Sequence, residues 1–130
     1  MRAENVGSSL TMEMRRGTVV LLVLCCLEEP RYGYSLSDEL SAMGVAVEGN
    51  TLYPLLRRLA GQGLLSDAWD VSGPKPRKYY RITELGREMR EDLAARWQEM
   101  SGAVKAALAK AKQPENVRGR EADETAGERT

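Results

Sequence analysis

The chain of 130 residues contains no histidine and no phenylalanine, has only two cysteines, and carries a formal net charge of zero. Each shortage narrows the function. Without histidine there is no imidazole to serve as a general base near neutral pH and no mixed cysteine/histidine metal site. The sequence has no glycine-rich phosphate loop and no nucleophile set beside a plausible base, so neither an enzyme nor a bound cofactor or metal is expected. Cys25 and Cys26 are adjacent within an apolar run. Neighbouring helical side chains diverge by about 100°, so these thiols do not pair readily, and a reduced, cytoplasmic protein is the expectation. That run, residues 19–27, is nine residues long, well short of the ~20 that span a bilayer. It starts too deep, and lacks the small-residue cleavage site, for a secretory signal. It predicts a helix buried on most sides.

With aromatics at 5% and no phenylalanine, the core has to be mainly aliphatic. Hydrophobic residues at 42% and charged residues at 29% describe one soluble domain with tails.

Residues 50–82 carry most of the information. Leu52, Leu55, Leu56 and Leu59 fall on one helical stripe, while Thr51, Tyr53, Pro54, Arg57, Arg58 and Gly61 fall around the other side. Asn50 is the expected N-cap, Pro54 sits early in the helix, and Gly61 with Gly63 supplies the stop. Two strands are predicted over 64–70 and 77–82, around the turn Ser72-Gly73-Pro74-Lys75-Pro76. Alternation puts Tyr80 and Ile82 on one face of the second strand and Arg77, Tyr79 and Arg81 on the other. Within 50–82 the six cations Arg57, Arg58, Lys75, Arg77, Lys78 and Arg81 against Asp67 and Asp70 leave +4 in a chain that sums to zero. Positive charge gathered on one side of a neutral protein is suited to phosphates, although a charge run can also be a merely solvated face.

Along the rest of the chain, residues 1–9 are expected to form a flexible N-terminal arm and residues 10–28 a first helix ended before Pro30. A second helix is expected over 35–43, opened by a capping-box-like Ser35 and Asp38, packed through Leu36, Leu40 and Met43, and ended by Gly44. Three helices followed by a two-stranded ribbon is the order of a winged helix-turn-helix, a mainly α (α+β) fold whose third helix enters the major groove and whose ribbon reaches nearby phosphates. The DNA-binding domain then spans 10–82. Thr83 opens a fourth helix to 111, whose seam Leu93, Trp97, Met100, Val104, Ala107 and Ala111 has alternating steps of four and three. Such a stripe packs against another helix, and a second copy of the chain is the economical partner. Residues 112–130 keep no apolar period and are expected to be a disordered polar tail.

Tyr32-Gly33-Tyr34, the string TLYPLLRRL over 51–59, Gly63-Leu64-Leu65, Trp69, RKYYRIT over 77–83 and Gly86 together closely resemble the PadR family of bacterial transcriptional regulators, over about residues 16–104. With one helix after the wing, the chain resembles the short-form branch. The resemblance implies a homodimeric, ligand-responsive regulator, commonly a repressor, that binds a near-palindromic operator and dimerises through the fourth helix. It implicates Thr51, Tyr53, Pro54, Arg57 and Arg58 on the recognition helix and Lys75, Arg77 and Lys78 at the wing, with Tyr79 and Tyr80 also matching the wing motif. Two positions depart from the pattern: Tyr32 where relatives often have histidine, and Asn50 interrupting the usual Gly-Thr.

In that reading Arg57, Arg58, Lys75, Arg77 and Lys78 neutralise phosphates, while Asn50 and Thr51 read base edges. Tyr53 either gives its hydroxyl to a phosphate or packs between helices. Trp97, with Met100, either fills the dimer core made by Leu93, Trp97, Met100 and Val104 or stacks on a small aromatic or hydrophobic effector. Met89 is expected to be packing and Trp69 a core anchor. The rival reading is a winged-helix module that binds protein rather than DNA.

Overall fold

The computed structural model describes residues 2–112, with side chains from Val6 onward. The chain divides after Ala94 into two compact units. The first holds helices α1 (Arg2–Cys26), α2 (Gly33–Ala42) and α3 (Gly49–Gly61), strands β1 (Arg31–Tyr32), β2 (Leu65–Asp70) and β3 (Arg77–Ile82), and the start of helix α4 (Glu84–Ala111). The strands form one antiparallel sheet in the order β1-β3-β2. This is the winged helix-turn-helix order with one strand more than the expected two. β1 is only two residues long, too short to show a period, and it exists because Arg31 and Tyr32 pair with Tyr80 and Tyr79 as the chain leaves α1.

The core is mainly aliphatic, as the composition required. Val19, Val23 and Leu24 of α1 and Leu27 just past it meet Leu36 and Leu40 of α2, Leu52, Leu56 and Leu59 of α3, Leu64 just before β2, and Leu65, Tyr80 and Ile82 of the hairpin, all less than a tenth exposed. Burying each leucine stabilises the fold by roughly 1.5–3 kcal/mol relative to exposure, so the stripe on α3 fixes which side of that helix faces inward. Cys26 is buried, and burial pushes its thiol up, whereas Cys25 is exposed.

Helix termini follow the glycines. At the end of α2, Gly44 has φ +91° while its N–H donates to the Ser41 carbonyl and that of Val45 to Leu40. At the end of α3, Gly63 has φ +82° while its N–H donates to Ala60 and that of Leu64 to Leu59. Both are Schellman closures, which a left-handed glycine permits without steric cost.

Several expected boundaries move. α1 begins at Arg2, so the expected loose arm is helical where it is described. No proline interrupts the segment, one glycine in a helix costs only about 1 kcal/mol, and Thr11 Oγ1 donates back to the Gly7 carbonyl at 2.9 Å. α2 starts at Gly33 with Tyr32 as N-cap, so Ser35 and Asp38 do not form its opening box. α3 is capped by Glu48 rather than Asn50, with the N–H groups of Thr51 and Leu52 both donating to the Glu48 carbonyl. Pro54 is therefore the sixth helical residue, and the Asn50 carbonyl loses its usual i+4 donor. The expected tail from 113 onward lies outside the described residues.

Thr83 joins the hairpin to α4. Its N–H donates to the Leu64 carbonyl at 3.0 Å, its hydroxyl donates to the Gly63 carbonyl at 2.6 Å, and its Oγ1 accepts from the Gly86 N–H at 3.0 Å as an N-cap. Glu28, just beyond α1, receives Arg87 at 3.1 Å and Arg90 at 2.6 Å, and these hydrogen bonds hold its carboxyl below the usual range. Gly86 is buried tightly enough that a methyl there would run into the Leu64 carbonyl oxygen and approach Ile82 Cγ1 to 2.7 Å.

Because the obstructing atom is backbone, Gly86→Ala should destabilise the protein by about 1–3 kcal/mol. Urea unfolding checks this: the midpoint should fall, and an unchanged midpoint would mean the contact relaxes at no cost.

Candidate nucleic-acid interface

The buried stripe of α3 turns its remaining residues outward. Asn50, Thr51, Tyr53, Pro54, Arg57 and Arg58 are all exposed, while Leu52, Leu56 and Leu59 are at most 2% exposed. Tyr53 packs between helices, the second of the two roles expected for it, and keeps part of its surface open. Its ring lies against Gly33 and Gly49, with Cε2 3.1 Å from where a Gly49 side chain would begin, yet the residue stays 39% exposed.

The hairpin register is Leu65↔Ile82, Asp67↔Tyr80, Ala68↔Tyr79, Trp69↔Lys78 and Asp70↔Arg77. Pairing sorts the side chains onto two faces, and Lys78 and Arg77, neighbours in sequence, point to opposite ones. On the face with Leu65, Tyr80 and Ile82, Lys78 Nζ sits 3.4 Å from Asp67 Oδ2 and 5.4 Å from the centre of the Trp69 ring. Trp69 is 60% exposed, which overturns the core-anchor expectation. Its face is the right one, but the hydrophobic cluster stops at Leu65, Tyr80 and Ile82, and the hairpin continues beyond it.

On the opposite face, Arg77 is held by aromatic neighbours. Its guanidinium carbon lies 4.2 Å from the centre of the Tyr32 ring, its Nη1 donates to the Tyr34 hydroxyl at 3.1 Å, and its Nη2 is 3.8 Å from Asp70 Oδ2. The rings of Tyr32 and Tyr34 stack at 5.8 Å, and Tyr79 meets Tyr32 edge-on at 6.0 Å. Tyr32 donates its hydroxyl to Asp70, which also accepts the Ser72 hydroxyl at 2.6 Å and the Ser72 N–H at 3.0 Å. Hydrogen bonds from the Ser72 hydroxyl, then Tyr32, then the Ser72 backbone hold the Asp70 carboxyl down to about 2, and the same Asp70 contact raises Tyr32.

Arg57 on α3 and Arg77 and Lys78 on β3 line one open cleft with Tyr32, Tyr34, Tyr53 and Trp69. Three of the five expected cations, Arg57 of the helix and Arg77 and Lys78 of the wing root, thus line the same cleft. Arg58 and Lys75 are exposed outside that set, and Tyr79, on the same face of β3 as Arg77, is half-buried and also outside it. Tyr34, Asp70 and Ser72 were not among the expected site residues. The one available signal was Asp70-x-Ser72 before Gly-Pro, where an aspartate accepts from the N–H two residues on. Along α4, Trp97, Met100, Val104 and Leu108 are 48–67% exposed. Leu93 is half-buried and packs on the core of the first unit, so it differs from the rest of its expected seam. Among the described residues no cluster of potential metal ligands occurs, and no helix is long and apolar enough to cross a membrane.

A carboxyl held below its ordinary 3.8 contributes stability that is complete above that value and is lost as pH falls through about 2. A carboxyl NMR titration should therefore find Asp70 ionising well below ordinary aspartate, and Ser72→Ala should move that midpoint upward. An unmoved midpoint would detach Ser72 from the wing root.

A sequence model described as the transcriptional regulator PadR-like family matches residues 20–92. The fold is similar to the crystal structure of a PadR family transcriptional regulator from Eggerthella lenta, at 47% identity and a TM-score of 0.77, covering 83% of this chain and 96% of that one. It is also similar to a PadR-like transcriptional regulator from Bacillus cereus, at 32% identity and a TM-score of 0.66, covering 74% and 96%. The transcriptional regulator Rv3488 of Mycobacterium tuberculosis is 38% identical over 76 residues, which are 58% of this chain and 71% of that protein. The chain belongs to the PadR-like family of transcriptional regulators.

Proposed function

We propose that the protein is a homodimeric, sequence-specific DNA-binding repressor acting in the cytoplasm, whose α3 enters the major groove of a near-palindromic operator and whose wing grips the flanking phosphates. The observation that carries this reading is the shared cleft of Arg57, Arg77 and Lys78 beside the outward face of α3. Arg57 on α3 and Arg77 and Lys78 on β3 border one opening, the latter two leaving β3 on opposite faces, and cations gathered from two elements suit the regularly spaced phosphates of a duplex. Arg57, Arg58, Lys75, Arg77 and Lys78 supply salt-sensitive affinity in this reading. Asn50 and Thr51, exposed on the first turn of α3, are short polar side chains able to meet base edges, and asparagine matches adenine N6 and N7. Pro54 lies on the same outward side. Tyr53 offers a hydroxyl from a ring steadied by Gly33 and Gly49, and Tyr79 supports the wing by its edge contact with Tyr32.

Dimerisation is assigned to α4. Trp97, Met100 and Val104 form an exposed apolar stripe spaced by three and four residues, continued by Leu108, which is the spacing a partner helix covers. Leu93 closes the near end of that stripe in this reading. A planar aromatic or hydrophobic effector would stack between paired Trp97 side chains, with Met100 beside them. It would regulate only by preferring one spacing of the two recognition helices.

Replacing Arg57 and Arg58 together with alanine should cut duplex affinity at least about tenfold and make the salt dependence shallower by about 1.8 in log–log slope, two phosphate contacts at about 0.9 each. Anisotropy with a labelled duplex checks this, and affinity that ignores both changes would favour a protein-binding module. Trp97→Ala should weaken the dimer about 30-fold or more, read by sedimentation across concentrations. An unaltered dimer would take Trp97 out of the seam.

A further inference from the structure

The wing root presents a difficulty for a surface meant to face phosphates: β2 carries two carboxylates, Asp67 and Asp70. Simple Coulomb repulsion makes either one unfavourable for polyanion binding, because at close range the repulsion is only partly screened by salt. The two are held differently. The Asp67 side chain is 37% exposed and pairs with Lys78 at 3.4 Å. The Asp70 side chain is 21% exposed, with Oδ1 taking both Ser72 donors and Oδ2 taking the Tyr32 hydroxyl. Both oxygens of Asp70 thus accept from neutral donors.

The consequence falls on Arg77. Asp70 fixes the Tyr32 ring through its hydroxyl, that ring lies under the Arg77 guanidinium, Tyr34 stacks on Tyr32 and accepts from Arg77 Nη1, and Asp70 itself stands 3.8 Å from Arg77 Nη2. The circuit closes through Arg77 and ties the hairpin to β1 and the start of α2, while the Arg77 side chain stays 45% exposed and borders the same cleft as Arg57. A long cation held in its working orientation before binding loses less entropy when it meets a phosphate.

Resting on the duplex reading above, we propose that Asp70 is a positioning residue for DNA binding: it orients Arg77 through Tyr32, so that removing this negative charge weakens duplex binding instead of strengthening it. Asp67 has no such circuit, and its removal frees Lys78.

The test measures affinity of the full chain for a mixed-sequence duplex against salt concentration, for wild type, Asp70→Ala, Asp67→Ala, Tyr32→Phe, Arg77→Ala and the Asp70→Ala/Arg77→Ala double variant. Asp70→Ala should bind about threefold to tenfold more weakly with a salt slope shallower by about 0.9, the signature of one lost phosphate contact. The double variant should be no weaker than Arg77→Ala alone. Tyr32→Phe, which leaves net charge unchanged, should move affinity in the same direction as Asp70→Ala, and Asp67→Ala should bind at least as tightly as wild type. Tighter binding by Asp70→Ala overturns the proposal, as does a loss with unchanged slope, which is plain destabilisation, or losses that multiply in the double variant. Absence of salt-dependent binding by the wild type overturns the duplex reading itself and the proposal with it.

Discussion

Everything on the functional surface depends on the burial of Leu52, Leu56 and Leu59. A helix with one apolar stripe has a single favourable way to lie against a core, and at roughly 1.5–3 kcal/mol per buried side chain the alternatives are strongly disfavoured. Once the stripe is down, Arg57, Arg58, Asn50 and Thr51 have no choice of side. The Schellman closure at Gly63 then turns the chain within two residues, and the hydrogen bonds of Thr83 to Gly63 and Leu64 bring the returning strand back to the same point. The hairpin leaves and re-enters the core at one place, which is why its cations come to lie beside the helix.

The wing adds a second layer of order that does not depend on hydrophobic burial. Tyr32, Tyr34, Asp70, Ser72 and Arg77 form a polar and aromatic circuit at the sheet's outer face, each holding the next by a hydrogen bond, a stack or a cation over a ring. Two-stranded ribbons are marginal alone in water. Here β1 supplies a third strand, and the circuit fastens it. The positions flanking this hairpin in sequence therefore matter as much as the hairpin itself.

Much of this was legible in the sequence because it rests on period and punctuation. The leucine spacing over 52–59 located α3, the Gly-Pro turn located the wing, Thr83 marked the start of α4, and alternation placed Tyr80 and Ile82 inward. What escaped were features set by depth and by contacts distant in sequence. Trp69 lies on the predicted face but beyond the reach of the core, β1 is too short to have a pattern, and the Tyr32–Asp70 hydrogen bond joins residues 38 apart. Asn50 misled because asparagine is a good cap, yet the chain enters the helix two residues earlier, at Glu48. On α4, the heptad spacing was visible from Leu93 to Val104, but only packing distinguishes Leu93, half-buried on the core, from the exposed Trp97.

The central claim is that the outward side of α3, together with the wing root, is the surface that meets a duplex. Backbone amide NMR shifts during titration with duplex DNA test it most directly. The account predicts that the largest shifts cluster at Asn50, Thr51, Arg57, Arg58, Arg77 and Lys78 and shrink as salt is raised. Shifts confined to the exposed stripe of α4 around Trp97, with α3 unmoved, would contradict it.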